Sequence, residues 1–552
     1  MGKSQRRVND SIHWYMNELT ARIIAKSGNP DDRFHMGKIL LQSFKDEPEL
    51  VTIIDGATGE SIKNKELLER SVRCANCFKN IGLKKGDVII LMAPNHIDLS
   101  IAFYAALFVG IVVAPIDKTL GVNELQDTFE NNTPKIVFCQ NERASDVEAA
   151  LKPLNLDTKI ITFDKGNYYS FFNFLEEFGK NSNVEEFEVS MFDPKETTAF
   201  LISTSGTSGR PKAAVVTQMN VTVSVPYLWV KHQDFPKPTQ LALVCSPLQW
   251  LTAILLFLLT PIVRVSRVQS SLPLTQQHTY YLINTYKPSF TLMSPTFLAT
   301  LLKPGDRDKC DFTCLDMIQI GGSAVPQNLI EELKSVAPDT DAVNVYGLSE
   351  LSSIALVSSH SGRAPAGSCG NALGHLQYRL VDVETQQDIL EPNVSGELWL
   401  KGPGVFKEYY KNPIATAEAF SEDGWFKTGD SFYRDENWNY YFTDRIKFLL
   451  KYMNNQISPI EVENVIRQHP GVLDVAVTGI PDMCGELPVA CVVPRPGISV
   501  TAEDIKNIVK DSLSDAKQLR GGVIFINEIP SLPSTKINRR KLKEMALKME
   551  RE

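Results

Sequence analysis

Ser203-Thr-Ser-Gly-Thr-Ser-Gly-Arg-Pro-Lys212 follows directly on the apolar run Ala199-Phe-Leu-Ile202. A strand that empties into such a loop brings backbone N–H groups, hydroxyls and one ammonium to a single place. Gly206 and Gly209 let the backbone approach a ligand, amides and hydroxyls donate, and Lys212 adds compact charge, which is the chemistry of a polyphosphate cradle. The loop does not fit G-x-x-x-x-G-K-[ST], so the common P-loop reading fails. By composition alone the stretch also reads as a solvated linker. The rest of the chain decides between the two.

From residue 50 onward, short apolar runs alternate with helical patterns. Val51–Ile54, Asp87–Met92, Ile111–Ala114 and Lys135–Cys139 read as strands, and Asn64–Asn80, His96–Gly110 and Val122–Asn131 as helices. Leu241–Val244, Phe290–Met293 and Met317–Ile320 continue the series. Nearly continuous apolar strands between amphipathic helices imply parallel sheets covered on both faces. After about residue 367 the texture turns to strands and polar turns, as in Tyr378–Asp382 and Gly396–Leu400. Beyond Asp444-Arg445 a small α+β unit follows, with helices over Pro459–Gln468 and Thr501–Ser512 and strands over Asp474–Thr478 and Val489–Val493. The expected fold class is α/β: a large N-terminal domain, residues 1–445, of doubly wound parallel-rich sheets, with a β-rich subdomain over about 367–445. A small mobile C-terminal domain, 446–552, completes it.

The 552 residues are too many for one core and suggest about three or four compact units. A hydrophobic content of 43% with 22% charged residues is that of an ordinary globular enzyme, and a net charge of −8 argues against a nucleic-acid surface. The nine scattered cysteines suit a reducing compartment. Cys74 and Cys77 fall inside a helical pattern, where i, i+3 spacing marks a buried face rather than a zinc site. The first thirty residues lack the apolar core of a secretory signal, and the chain ends Lys548-Met-Glu-Arg-Glu552 without a Ser-Lys-Leu address. The most apolar run, Leu251–Val263, is too short for the roughly 30 Å of a bilayer core. A soluble intracellular protein, cytoplasmic by default, is expected, with its oligomeric state open.

Five further stretches carry chemistry. Gln319-Ile-Gly-Gly-Ser-Ala324 puts two glycines at a strand end, where a planar base could lie on backbone. Asn344-Val-Tyr-Gly-Leu-Ser-Glu350 sets an aromatic ring, a hydroxyl and a carboxylate in one tight turn. Asp423-Gly-Trp-Phe-Lys-Thr-Gly-Asp430 ends on a carboxylate suited to ribose hydroxyls. Asp444-Arg-Ile-Lys-Phe-Leu-Leu-Lys451 is basic and lies at the composition boundary, and Pro533-Ser-Thr-Lys-Ile-Asn-Arg-Arg540 places a lysine near the end of the chain.

In order and spacing these six stretches resemble the ANL superfamily of adenylate-forming enzymes, which includes acyl-CoA synthetases, 4-coumarate-CoA ligases, beetle luciferases and peptide-synthetase adenylation domains. The likeness runs from about residue 35 to 545. Ile446–Tyr452 and Gln456-Ile-Ser-Pro459 are similar to the hinge region of the acyl-CoA synthetase and luciferase branch. The resemblance implies that a carboxylic acid, expected to be a fatty or aryl-aliphatic one, reacts with ATP to give an acyl-adenylate and pyrophosphate, and that coenzyme A then takes the acyl group. It further implies that Thr204, Ser205, Gly206, Thr207, Ser208, Gly209 and Lys212 hold the β- and γ-phosphates. Gly321, Gly322 and Ser323, with the turn Asn344, Val345, Tyr346, Gly347 and Leu348, would line the adenine and acyl-AMP site, Tyr346 stacking on the base. Ser349 would meet the α-phosphate and Glu350 would bind Mg²⁺. Asp430 and Arg445 would grip the ribose, with Gln456 nearby. Trp250 and Ile354 would border the acid pocket. Lys536 would bridge the substrate carboxylate and the α-phosphate. Lys447 would be the hinge about which the small domain turns, exchanging Lys536 for the loop from Lys451 to Gln456.

Some positions depart from that pattern. Ala213 and Gln218 replace a frequent glycine and histidine, and Trp250 stands where relatives often carry histidine, enlarging a pocket wall. Met453 and Asn454 replace a lysine and a glycine that meet coenzyme A, and Thr535 replaces the glycine before the terminal lysine. Adenylation is therefore the better supported half. Two other readings share these motifs: a luciferase-like monooxygenase that oxidises its own adenylate, and a protein that binds ATP or acyl-AMP without completing transfer.

Overall fold

The computed structural model describes residues 10–180, 182–204, 212–228, 241–358, 364–452, 455–482, 485–532 and 536–552. Two helices, Asp10–Ser27 and Met36–Asp46, precede the alternating pattern. A nine-stranded sheet then forms around a parallel centre in the order 341–348, 317–321, 290–293, 241–244, 266–269 and 51–55. A seven-stranded sheet is parallel across 198–204, 112–115, 88–92, 136–139 and 159–162. The strands are short and closed to water on both faces, as in Val88–Met92 and Phe290–Met293, so the doubly wound α/β expectation holds.

Two helices lie between the sheets and are buried almost all round: Ile97–Val109 and Leu251–Ile262. A helix that is apolar on every side belongs inside a core, which accounts for the run that was too short for a membrane. No helix among the described residues is long and apolar enough to cross one. Arg267, fully buried, fastens this layer by hydrogen bonds to Tyr104, Thr260, Ser100 and Gln269. Cys74 and Cys77 lie on the buried face of helix Asn64–Asn80, and burial pushes the Cys77 thiol up to about 12.

An antiparallel four-stranded sheet, 377–381, 396–401, 426–434 and 440–445, forms the β-rich part. The smaller C-terminal domain is built on the long hairpin Val472–Asp482 and Gly485–Pro494, with 522–525 added in parallel and helices on both faces. This hairpin outruns the expected strands. Pro481 and Pro488 obscured its inner ends, but both stand within a few residues of the turn, where proline is tolerated.

Candidate active site

Parallel strands of both sheets send their carboxyl ends toward one crevice. Ser270, Ser246, Met293, Gly321 and Val345 arrive from the larger sheet, and Asn95, Thr119 and Thr204 from the smaller. Between them lies a cavity of about 760 Å³. Ligand sites at this place follow from βα architecture, since the loops after parallel strands all open on one edge.

One end of the cavity is shaped by backbone proximity. A Cβ on Gly321 would sit 2.5 Å from the Val345 carbonyl, and one on Gly347 would sit 2.4 Å from that of Ser353. Only glycine admits these strands so close together, and Gly322 follows at φ +94. Thr204 and Lys212 face each other across an antiparallel pair, and Thr204 Oγ1 donates to the Lys212 carbonyl at 3.2 Å. The two flanks of the Ser/Thr/Gly loop are thereby clamped. Ser205, Gly206, Thr207, Ser208 and Gly209 lie outside the described residues, as do Met453, Asn454 and Thr535.

Glu350 lines the cavity, and its Oε1 accepts from Tyr409 Oη at 2.8 Å. The Lys212 ammonium rests 5.1 Å from the centre of the same Tyr409 ring. One tyrosine thus links the lysine that closes the loop to Glu350, which lies in a 3-10 turn just past the strand 341–348, where the sequence suggests a single tight turn over 344–350. Asp430 is 1% exposed, accepts from Tyr346 Oη at 2.6 Å and lies 2.7 Å from Arg445 Nε. Burial pushes the Asp430 carboxyl up, against the pull of Arg445.

Lys536 reaches the mouth of the cavity from the C-terminal domain. Its surface stays open to water while protein closes round it. That confinement, and then Arg445, lowers its ammonium pKa; Asp430 and Glu350 oppose the shift. Lys447 is pulled down to about 8, by burial first and then by Arg445, with Lys536 and Lys212 adding to the effect. Lys212, Arg445, Lys447 and Lys536 therefore press on one another around Asp430 and Glu350, an excess of cations suited to a polyanion.

Not every expected residue borders the cavity. Thr204, Gly321, Gly322, Ser323, Val345, Gly347, Leu348, Ser349, Glu350, Arg445 and Lys536 do, as do Trp250 and Ile354. Asn344 instead donates through Nδ2 to the Ser368 carbonyl. Tyr346 packs edge-on against Phe432 while its hydroxyl holds Asp430. Lys451 is exposed on the hairpin 450–452 and 455–457, paired in register with Gln456, away from the cavity.

Three features were given no role by the sequence pattern. Asn95 and Ser353 are buried at the cavity wall with polar atoms left unpartnered, Asn95 Oδ1 and Ser353 Oγ. Asp444, in the strand 440–445, accepts from Ser458 Oγ at 3.1 Å and Ile460 N at 3.3 Å. Arg539, three residues past Lys536, bonds Glu463 at 3.3 Å and lies over the Phe448 ring. A single sequence hides such partners because they meet across long separations.

The architecture, a large α/β body with a smaller domain placing a lysine at the mouth of its crevice, is that of the adenylate-forming enzymes. The chain belongs to the AMP-binding enzyme family of the ANL superfamily: the family model for the AMP-binding enzyme matches residues 41–410, and that for its C-terminal domain residues 461–536. It is 32% identical over 521 residues to a luciferin 4-monooxygenase of Photuris pensylvanica, covering 92% of this chain and 93% of the relative. It is 29% identical over 510 residues to the 4-coumarate--CoA ligase-like 9 of Arabidopsis thaliana, covering 90% and 87%. Among solved structures, ATP-bound MatB from Rhodopseudomonas palustris superposes with a TM-score of 0.82 at 22% identity, over 92% of this chain and 98% of that one. The anthranilate CoA ligase AuaEII in complex with anthranoyl-AMP gives 0.83 at 20% identity, over 93% and 97%.

Proposed function

We propose that this adenylate-forming enzyme activates a carboxylic acid with ATP, releases pyrophosphate and transfers the acyl group to coenzyme A. The observation that carries the reading is the convergence of Lys536, Arg445 and Glu350 with the strand end Ser203-Thr204 on one cavity wall. In the first step a carboxylate oxygen bonds to the α-phosphorus while the bond to the bridging oxygen breaks, and pyrophosphate leaves. Charge spreads over phosphate oxygens, so fixed cations and donors are the main resource. Lys536 joins the carboxylate to the α-phosphate, Ser349 donates to that phosphate, and Lys212 with the loop from Thr204 holds the outer phosphates. In the second step the coenzyme A sulfur bonds to the carbonyl carbon, AMP leaves and the thiol proton is released to solvent.

Glu350 fits Mg²⁺, which takes one or two carboxylates and completes its shell with phosphate oxygens and water. There the ion would neutralise charge on the phosphates. Asp430 and Arg445 serve the ribose and Tyr346 the base; since Tyr346 and Asp430 are bonded to each other, ribose binding requires that bond to open or be shared. The lid is taken to begin at Lys447 and to turn about it, which presents Lys451 and the loop to Gln456 for the second step. Trp250 and Ile354 shape an acid site with apolar walls, which favours a fatty or aryl-aliphatic acid.

Incubation with a panel of acids, following pyrophosphate and CoA thioester in parallel, tests the reading. Both products are expected from at least one acid. Failure of every acid to release pyrophosphate would falsify it. The luciferin 4-monooxygenase relatives support a second reading, oxidation of the adenylate by oxygen. Light or CO₂ appearing in place of thioester is its signature.

A further inference from the structure

The short strand Glu408–Tyr409 lies along one edge of the seven-stranded sheet, antiparallel to Lys212–Thr217. Tyr409 pairs with Ala214, so its ring stands on the face of the sheet that also carries Lys212, two residues before that alanine. There the Lys212 ammonium rests 5.1 Å from the ring centre, a cation–π distance. The hydroxyl of the same ring donates to Glu350 Oε1 at 2.8 Å.

The strap that carries this tyrosine is fastened on both sides. Lys407 N and Tyr410 N donate to the carbonyls of Val215 and Ala213 at 3.0 and 2.8 Å, and Phe406 N donates to the Glu350 carbonyl at 2.7 Å. Tyr409 N donates to Thr416 Oγ1 at 3.0 Å, and its ring meets Phe406 edge-on with centres 4.8 Å apart. One segment thus holds Glu350 twice, through its backbone and through its carboxylate. Burial, and then the charge of Glu350, push the Tyr409 phenol above its ordinary pKa, so it stays a donor at any working pH. A carboxylate has acceptor sites on both oxygens, so the bond to Oε1 orients the group without exhausting it.

We propose that Tyr409 is a positioning residue of the phosphate site: its hydroxyl orients the Glu350 carboxylate for Mg²⁺, and its ring holds the Lys212 ammonium in place. A phenol ring is rigid, so the carboxylate that takes the metal and the lysine that takes the outer phosphates keep a set spacing. Neither has to be reordered when the triphosphate arrives, which is the benefit of a preorganised site. The inference rests on the ATP-binding half of the adenylation reading. It deepens that reading by giving a role to a residue outside the six stretches that carry the family resemblance.

The test measures ATP binding by calorimetry, without acid or coenzyme A, across a range of free Mg²⁺. The full chain is compared with Tyr409→Phe, which keeps the ring and loses the hydroxyl, and with Tyr409→Leu, which loses both contacts. Tyr409→Phe is expected to raise the Mg²⁺ concentration for half-maximal ATP affinity about tenfold, as when a charged group loses a hydrogen bond, with affinity at saturating Mg²⁺ within about twofold of wild type. Tyr409→Leu should show the same rise and also weaken binding at saturating Mg²⁺ about three- to fivefold, through the lost contact to Lys212. Melting midpoints without ligand check the fold, and either variant alone carries the Mg²⁺ result. In a Glu350→Gln background, Tyr409→Phe should move the Mg²⁺ midpoint less than about twofold, because the partner is already gone. An unchanged midpoint in both single variants overturns the inference. So does a loss that is equal at every Mg²⁺ concentration, the mark of a merely structural role, or a full shift in the Glu350→Gln background. A wild-type chain that binds ATP with Mg²⁺ yet releases no pyrophosphate with any acid overturns the adenylation reading alone. One that binds no ATP overturns both.

Discussion

Lys536 and Lys451 belong to one small domain and meet opposite surroundings. The first enters the mouth of the cavity, close enough to Arg445, Asp430 and Glu350 to feel their charge. The second projects from a short hairpin into solvent. A charge placed in a confined site acts strongly on a reacting phosphate, whereas a solvated one is screened. The contrast teaches that, in the orientation described, only one of the two lysines can act on a ligand in the crevice. The orientation seen here presents the lysine proposed for adenylation and withholds the one proposed for thioester formation.

The first way to break the comparison is to remove the member at the cavity mouth. Lys536→Ala is expected to slow pyrophosphate release by about 10²–10³, the range for a lost donor at a developing phosphate charge. Transfer to coenzyme A from preformed acyl-AMP should stay near its wild-type rate. Equal losses in both half-reactions, measured by rapid quench, would show that Lys536 supports the fold rather than one step.

A second test concerns what holds the domain in place. Asp444, in the strand 440–445, accepts from Ser458 and Ile460, and Arg539 from the Lys536 segment lies near enough to oppose its shift. Burial raises the Asp444 carboxyl from 3.8 to about 6, with Arg539 pulling it down and Glu463 pushing it up. Because the folded pKa lies above the unfolded one, the folded state holds a proton that the unfolded state has released. The stability linked to that proton is full below about 4 and is lost as pH rises through about 6, about 3 kcal/mol in all. Asp444→Asn carries no such titration. Between pH 5 and 8 the thermal midpoint of the variant should therefore rise relative to wild type. A difference that stays constant across that range would remove Asp444 from the account.

Much of this was legible in the chain, for identifiable reasons. Strands such as Val88–Met92 are buried on both faces, so their residues are apolar without interruption and announce themselves. Gly321 and Gly347 stand where another strand passes within reach of a Cβ, so only one residue type fits and the motif persists. The bonding of Tyr346 to Asp430 was not legible, since the two lie 84 positions apart and either could have faced a nucleotide. Asn95 was hidden for the same reason, its partner Ser246 being 151 positions away. Local pattern reveals what each element buries; it does not reveal which polar groups long loops bring together.

The smallest expected effect belongs to the exposed lysine, and it sharpens the comparison most. In the orientation described here Lys451 touches no part of the cavity, so Lys451→Ala should leave pyrophosphate release within about twofold of wild type, as surface changes usually do. If the domain turns about Lys447 after adenylation, the same change removes a cation from the rebuilt crevice and should slow thioester formation about tenfold, or about 1.4 kcal/mol. A split between the two half-reactions is the outcome a second orientation predicts, with the hairpin outside the crevice in the first step and within it in the second. Rates near wild type in both steps would make Lys451 an ordinary solvated side chain and withdraw its support for a second orientation.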